Sequence, residues 1–323
     1  MLGIVAVEIF CAILVVLTVT GNVLIIAATR RFRHLREISN IVITSLALAD
    51  LLVGLINIPM YMYSISRPPS ITMTYVLCQN SLDIYFSVSS ILNLTVISVD
   101  RCFSVLCPLK RRIWRKSKIY IILVSLWLIA TIPVALYVNK VKHTIAIVTT
   151  VFFLFPLLIM ILSYTILAGT VKIARKRMQA HKTATSSKEL KLAKTLSIVI
   201  LLFVAAWLPF FVVVNAHHYP NVIKVNLSKK QMEILIYFIK MFHHSNSAVN
   251  PIIYAFRQRE FATAFKKLLR IKTTNNRNTL GRMQLLSMTE SGGVRNTPMK
   301  RSVIDRDGSK KASAVNTEAG CSS

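Results

Sequence analysis

Seven apolar stretches, each at least 20 residues long, dominate this chain of 323 residues. About 20 helical residues cross the roughly 30 Å hydrocarbon core of a bilayer, because an α-helix rises about 1.5 Å per residue. Strands of a membrane barrel would instead alternate polar and apolar residues. We therefore predict an all-α membrane protein built as a seven-transmembrane helix bundle. The stretches run approximately over residues 4–28, 41–62, 74–107, 119–138, 145–168, 196–216 and 234–256.

Composition and charge agree with this prediction. Hydrophobic residues make up 54% of the chain and charged residues 16%, a composition that excludes a water-soluble protein of this length. The loops after the first, third and fifth stretches carry 18 Lys and Arg residues, and the other three loops carry six. Because basic residues favour the cytoplasmic face, we expect an extracellular N-terminus. The net charge of +28 then lies beside anionic lipids and indicates no nucleic-acid partner.

The third stretch carries polar and charged residues through a membrane-depth helix. Asp83, Ser90 and Arg101 share one helix face, since spacings of 7 and 18 residues are about two and five turns. A charged group at this depth costs roughly 2.5–3.5 kcal/mol on insertion scales, so such a face must line protein or a wet cavity. We interpret this helix face as a polar connection between the aqueous phases on the two sides of the membrane.

Polar residues of other stretches are expected to converge beside this face. In the seventh stretch Asn246, Asn250 and Tyr254 step by four residues and therefore lie on one side of the helix. The middle of the bundle then contains one carboxylate among neutral polar groups, namely Asp50 with Asn22, Ser90, Asn246, Ser247 and Asn250. Oxygen ligands favour hard ions, so this set suits a weakly held monovalent cation or a proton.

The membrane domain comprises residues 1–256, and the sequence that follows it divides into two segments. Residues 257–271 place Phe261, Phe265 and Leu268 at helical spacing between Lys and Arg, which predicts an amphipathic eighth helix on the membrane surface. Residues 272–323 are too poor in large apolar side chains to fold and are expected to form a disordered cytoplasmic tail.

Several short motifs occur in order along the stretches. They are Gly21-Asn22-Val23, Leu46-Ala47-Leu48-Ala49-Asp50, Asp100-Arg101-Cys102, Trp127, Pro156, Tyr164, Trp207-Leu208-Pro209 and Asn250-Pro251-Ile252-Ile253-Tyr254. On these residues the chain resembles the rhodopsin-like, class A G-protein-coupled receptors over residues 3–271. The resemblance implies a plasma-membrane receptor, not an enzyme, that converts binding of a small extracellular ligand into nucleotide exchange on a heterotrimeric G protein. It implies no cofactor other than a sodium ion as modulator, and it adds arrestin, receptor kinases and membrane lipids as partners.

The resemblance also assigns roles to residues of the bundle. Arg101, held by Asp100 and by Glu189, resembles the cytoplasmic latch of the family. Other matching positions are Leu109 as the apolar contact with the G protein, Tyr164 and Tyr254 as the pair that swings towards Arg101, and Ile91, Pro156 and Phe203 as the packing switch beneath the ligand. The family's sodium site corresponds to Asp50, Ser90, Asn246 and Asn250.

The ligand pocket resembles that of amine receptors, with departures. Asp83 matches the carboxylate that binds the ligand's ammonium, Trp207 matches the pocket floor, and Phe210 and Phe211 would form an aromatic wall. His244 stands where amine receptors usually have Tyr, and Lys240, one turn above, also faces inward. If Lys240 pairs with Asp83, an amine must break that pair. We expect a biogenic or trace amine as ligand, with another small molecule, a lipid or a peptide as alternatives.

The positions of the cysteines and histidines bear on disulfide formation and on metal binding. The second outer loop, approximately residues 139–144, is short and has no cysteine, so the family's usual disulfide cannot form and Cys78 has no apparent partner. This short loop resembles the melanocortin-like and adenosine-like branches. The adjacent histidines of the pairs at 217–218 and 243–244 are expected on diverging helix faces, which makes each pair a poor metal chelate. Internal repeats typical of a transporter, and an opsin's Schiff-base lysine at position 244, are absent from the sequence.

Overall fold

The computed structural model describes residues 2–66, 71–107, 116–178, 186–219 and 227–271. All long regular elements in these ranges are helices, which we number α1 to α8. They are α1 (Leu2–Arg31), α2 (Ile38–Leu52, a π turn Val53–Asn57, and Ile58–Ile65), α3 (Met73–Leu106), α4 (Lys116–Ile129 and Thr131–Val138), α5 (Thr144–Thr149, a π turn Thr150–Leu154, and Phe155–Met178), α6 (Ser186–His218), α7 (Lys229–Arg257) and α8 (Arg259–Leu268).

Helices α1 to α6 each contain a segment that is long and apolar enough to cross a membrane, so the described residues hold six such helices. Helix α7 is long enough, with 29 residues, but it is more polar because it carries Lys240, two histidines and two asparagines. These polar side chains face the neighbouring helices rather than lipid: His243, His244, Asn246 and Asn250 are all buried. The seventh span is therefore a helix whose polar groups depend on the rest of the bundle.

The helices differ in how much of their surface the bundle covers. In α2 and α3, 61% of the most apolar segment is buried inside the protein, whereas in α1 and α4 the share is 28%. Large side chains such as Ile121 and Leu128 of α4 are mostly exposed, as expected for positions that contact lipid. Helices α2 and α3 therefore carry the interior positions on which a binding site can be built.

A close approach between α1 and α7 fixes the position of the seventh helix. A side chain on Gly21 would come within 2.7 Å of the Pro251 ring, so only glycine permits this contact. Pro251 has no backbone N–H for the carbonyl of Ser247, four residues earlier. The Asn22 side chain donates a hydrogen bond to that carbonyl over 3.1 Å, and thereby satisfies the acceptor that the proline leaves open.

After α7 the chain turns at Gln258 and continues as α8. Phe261, Ala264 and Phe265 are buried on one face of α8, while Arg259, Lys266 and Lys267 lie on the other side or at its edge. Lys267 extends back over the Phe32 ring at the end of α1, 5.8 Å from its centroid. The structure thus contains the amphipathic helix within the predicted 257–271 segment, and the predicted tail, 272–323, lies outside the described residues.

Candidate ligand pocket and signalling core

Asp83 lies at the centre of a buried polar cluster in the outer half of the bundle. Its side chain is held between α2 and α7: Asn57 Nδ2 donates a hydrogen bond to Asp83 Oδ1 over 2.7 Å, and Lys240 Nζ lies 3.2 Å from Asp83 Oδ2. Asn57 is the last residue of the π turn in α2, where one extra residue in the turn re-aims the side chains that follow. Both oxygens of this carboxylate therefore have a partner from another helix.

Lys240 forms the ion pair with Asp83 that the sequence had left as one possibility. Besides Asp83, its ammonium donates a hydrogen bond to Asn80 Oδ1 over 3.3 Å and lies 6.0 Å from the centroid of the Tyr61 ring. Tyr61 is itself fixed, because its hydroxyl donates to the Tyr237 carbonyl over 2.7 Å. The site thus already contains an ammonium group, next to a carboxylate and above an aromatic ring.

Two histidines of α7 complete the cluster, which corrects one expectation. The imidazoles of His243 and His244 both turn towards Asp83, and one ligand-type atom from each of the three residues lies within 4.8 Å of the others. The expectation that adjacent histidines cannot converge was therefore wrong, because both imidazoles reach the same carboxylate. His243 Nε2 is hydrogen-bonded to Ser87 Oγ over 3.2 Å, and the His244 ring packs edge-on against Tyr61, 5.4 Å between centroids.

An aromatic layer closes the bottom of this cluster. The His243 ring lies 4.0 Å from Trp207 and 5.0 Å from Phe210 between centroids, the latter in a stacked arrangement. Phe211 instead stacks on Phe153 of α5 at 4.1 Å. Trp207 and Phe210 therefore contact the polar cluster directly, while Phe211 links it to the core of the bundle.

Two cavities adjoin the cluster. The inner one, about 50 Å³, is lined by Asp83, Ser87, Trp207, Phe210, Phe211 and His243 among others. The outer one, about 360 Å³, is lined by Tyr61, Asn80, Tyr237 and Lys240 together with apolar residues. Asp83 borders the inner cavity and Lys240 the outer one, so their ion pair separates the two spaces.

The predicted cation site lies deeper, around Asp50. Ser247 Oγ donates to Asp50 Oδ1 over 2.8 Å, Asn250 Nδ2 donates to Asp50 Oδ2 over 2.7 Å, and Ser90 Oγ lies 3.4 Å from Oδ1. All these groups are buried, as is Asn246. The structure brings Asp50, Ser90 and Asn250 into contact, and it adds Ser247 as a direct partner of the carboxylate.

The residues of the predicted packing switch lie between the two polar sites. Ile91 and Phe203 are fully buried in one apolar cluster with Trp207 and Phe153, and Pro156 is buried close by on α5. Phe203 contacts both Trp207, at 5.7 Å between centroids, and Phe153, at 6.2 Å. A change at the pocket floor can therefore reach the interior through direct ring contacts.

The cytoplasmic end is described in part. Ser39 Oγ donates to Asp100 Oδ2 over 2.7 Å, and Tyr164 lies close enough to Ser98, one turn from Arg101, to interact with it. Arg101 lies close enough to interact electrostatically with Tyr164 and Tyr254. Leu109 and the side chain of Glu189, the predicted G-protein contact and latch partner, lie outside the described residues.

Several members of the outer cluster were not predicted from the sequence, namely Asn57, Tyr61, Asn80, Ser87 and His243. Asn57 and Asn80 had a usable signal, since amides inside apolar spans need partners in the protein. His243 was discounted because adjacent residues were expected to lie on diverging helix faces. The role of Tyr61 depends on tertiary packing, which no local spacing reveals.

Comparison with known proteins identifies the class to which this bundle belongs. Residues 21–143 and 134–254 match the family of 7 transmembrane receptors (rhodopsin family), so the chain belongs to that family. Similar proteins include the octopamine receptor beta-2R of Chilo suppressalis, 29% identical over 80% of this chain and 78% of its own length, and the human histamine H2 receptor, 29% identical over 89% of this chain and 87% of its own. The D(5)-like dopamine receptor of Takifugu rubripes is 31% identical over 81% of this chain and 66% of its own length.

Family membership confirms the predicted fold class and the assignment to class A. The protein is a multi-pass membrane protein and a G-protein-coupled receptor. Its outer site contains a buried carboxylate that is paired with a lysine of the same chain.

Proposed function

We propose that this receptor binds a small biogenic or trace amine from the extracellular side, with the ligand's ammonium against Asp83. The observation that carries this proposal is the Lys240–Asp83 pair: a primary ammonium already occupies the position next to Asp83 Oδ2, at 3.2 Å, with the Tyr61 ring beneath it. A ligand ammonium has the same charge and hydrogen-bonding needs, and an aromatic ring contributes about 0.5–2 kcal/mol to holding it. The similarity to receptors named for octopamine, histamine and dopamine supports the same ligand class.

Binding requires Lys240 to move. Its second partner, Asn80 Oδ1, and the outer cavity of about 360 Å³ provide an acceptor and space for the displaced ammonium. Asp83 then keeps one cation throughout, so the exchange avoids the roughly 3–5 kcal/mol cost of an uncompensated buried charge. The ligand's aromatic part would contact Trp207 and Phe210, and the inner cavity that they line, about 50 Å³, would have to widen to admit a ring.

Signal transmission is proposed to run from this pocket to the cytoplasmic side. Trp207, Phe203 and Ile91 form the packed path past the Asp50 site, where Asp50, Ser90, Asn246 and Asn250 would hold a sodium ion that favours the resting state. Arg101 with Asp100, Glu189, Tyr164 and Tyr254 would form the switch, and Leu109 would contact the G protein. The N-terminus would be extracellular, and arrestin and receptor kinases would bind the cytoplasmic side.

The test is a panel of amines applied to cells that co-express the receptor with chimeric G proteins. Wild type, Asp83→Asn and Lys240→Met are compared at equal surface expression. We expect an amine response that Asp83→Asn abolishes and that Lys240→Met makes more sensitive, because the internal competitor is gone. Equal responses of wild type and Asp83→Asn would exclude the amine anchor.

A second candidate rests on the same ion pair. Because Lys240 neutralises Asp83, the resting pocket also suits a ligand without a cationic group, such as a neutral small molecule or a lipid. In that case Lys240→Met would weaken the response to the ligand rather than strengthen it, which separates the two candidates in one assay.

A further inference from the structure

The cluster of Asp83, His243 and His244 has the composition of a metal site. A carboxylate and two imidazoles offer three ligand-type atoms within 4.8 Å of one another, and all three residues are at least nine-tenths buried. Imidazole and carboxylate together suit Zn²⁺ and related divalent transition-metal ions. Of these three residues, the proposed amine pocket uses only Asp83, and it assigns the two histidines no contact with the amine.

The histidine nitrogens support this interpretation independently. Within the described residues, Nδ1 of His243 and Nδ1 of His244 are buried without a hydrogen-bond partner. A buried polar atom without a partner usually costs about 1–3 kcal/mol, so such atoms call for an explanation. Both unpartnered nitrogens belong to imidazoles that converge on Asp83, and binding of a metal ion would give them a partner.

The surroundings also orient the ligands. Ser87 is hydrogen-bonded to His243 Nε2, which fixes that ring and leaves Nδ1 available. Asn57 donates to Asp83 Oδ1, which leaves Oδ2 available once Lys240 moves away. Outer partners of this kind are typical of metal ligands, whose free side is usually held by a hydrogen bond.

We propose that Asp83, His243 and His244 bind a Zn²⁺-class divalent metal ion, in place of the Lys240 ammonium. Three protein ligands leave a fourth position of the tetrahedron open to water. Metal–ligand bonds of about 2.0–2.2 Å place neighbouring ligand atoms roughly 3.4 Å apart, so the side chains must close by about 1 Å on binding. Lys240 moves to Asn80 and the outer cavity, as it does when an amine binds.

The site makes the metal ion, Lys240 and an amine ligand mutually exclusive partners of Asp83. A bound metal ion therefore inhibits activation by an amine in a competitive manner. This consequence rests on the proposed function, whereas metal binding itself does not.

Direct metal binding is the primary test, and it is measured without any amine. The full-length receptor, purified with chelator and placed in lipid nanodiscs, carries Cys78→Ser to remove an exposed thiol that could also bind metal. Titration with Co²⁺, a coloured substitute for Zn²⁺, is followed by visible absorbance, and Zn²⁺ is then added to displace it. Thermal unfolding with and without Zn²⁺ gives a second measure, since a ligand of the folded state raises Tm.

The expected result is one saturable site per receptor, which Zn²⁺ empties of Co²⁺. His244→Phe and Asp83→Asn should each weaken binding by more than the roughly 10- to 100-fold that loss of an outer partner costs. Lys240→Met should strengthen binding, because the competing cation is gone. A cooperative thermal unfolding transition of His244→Phe and of Asp83→Asn without metal shows that each variant is folded, so that lost binding reports a lost site.

The exposed pair His217 and His218 at the end of α6 provides the matched control. It has the same spacing as His243 and His244, but the carboxylate of Asp83 is not part of it. The double variant His217→Ala, His218→Ala should leave binding unchanged. The proposal is overturned if this double variant removes the Co²⁺ signal, if His244→Phe keeps it, or if no saturable signal forms. An amine response lost in Asp83→Asn while metal binding is absent in wild type would retain the proposed function and reject the metal site.

Discussion

The two buried aspartates of the bundle have opposite surroundings. Asp50 accepts hydrogen bonds from neutral groups, those of Ser247, Asn250 and Ser90. Asp83 accepts one such bond, from Asn57, and otherwise faces an ammonium and two imidazoles. Both sites bury a carboxylate, but only the outer one carries its own cation.

From this difference we expect the two sites to bind and release cations differently. Neutral donors lower the cost of burying Asp50 without cancelling its charge, so the site suits a small cation that enters and leaves. At Asp83 the cation is tethered to α7, so any incoming cation competes with a group that never diffuses away. A tethered competitor raises the ligand concentration that binding needs, and it protects the empty pocket from an unpaired charge.

The largest effect should come from removing that tethered cation. Lys240→Met leaves Asp83 buried without its ammonium partner, which we expect to lower the free energy of unfolding by about 3–5 kcal/mol. Thermal unfolding of the purified receptor measures this loss. Adding Asp83→Asn to Lys240→Met should restore most of the stability, and the double-mutant cycle gives the coupling energy of the pair. Additive single losses would show that the two residues stabilise the bundle independently.

Removing a neutral hydrogen-bond donor near the inner site should lower the free energy of unfolding by a smaller amount. Asn22→Ala removes the donor that satisfies the Ser247 carbonyl beside Pro251, and should cost about 1–3 kcal/mol. Thermal unfolding again provides the measurement. Asn139→Ala is the matched control, because buried Asn22 and exposed Asn139 each donate to the carbonyl four residues earlier, that of Thr18 and that of Ala135, both over 2.8 Å. A cost of Asn139→Ala equal to that of Asn22→Ala would contradict the role of burial.

Sodium binding provides a direct contrast between the aspartates. At a sodium concentration ten times its Kd, an ion that binds only the folded receptor adds about 1.4 kcal/mol of stability. We expect NaCl to raise Tm relative to the same concentration of choline chloride, and we expect Asp50→Asn to abolish the difference. Asp83→Asn should leave it intact. A sodium effect that disappears in Asp83→Asn instead would assign the ion to the outer site.

The Asp50 and Asp83 sites differ in how many of their contacts could be predicted from the sequence. The inner site was largely predictable, because Asp50, Ser90 and Asn250 follow from helical spacing and family motifs. Ser247 was expected in the same region and proved to be a direct partner. Helix periodicity sufficed here because every contact involves a short side chain on a regular α-helical segment.

The charges and the aromatic floor of the outer site were predictable, but its other polar contacts were not. Asp83 and Lys240 were expected to face inward, but Asn57 contacts Asp83 from a π turn, which shifts side-chain directions away from the regular 3.6-residue period. The convergence of His243 and His244 was excluded by the same regular geometry. These departures from regular helix geometry depend on packing between helices. They cannot be predicted from one sequence by assuming a uniform helical period.

The smallest effect should separate the ring of Tyr61 from its hydroxyl. Tyr61→Phe removes the hydrogen bond to the Tyr237 carbonyl but keeps the aromatic face beneath the Lys240 ammonium, 6.0 Å away. We expect a loss of about 0.5–1.5 kcal/mol in unfolding free energy and little change in amine sensitivity. Tyr61→Leu also removes the ring and should lower amine sensitivity further, since an ammonium gains from an aromatic face. Dose–response curves for the three proteins at equal expression make the comparison, and equal sensitivity of Tyr61→Leu and Tyr61→Phe would show that the ring contributes only packing.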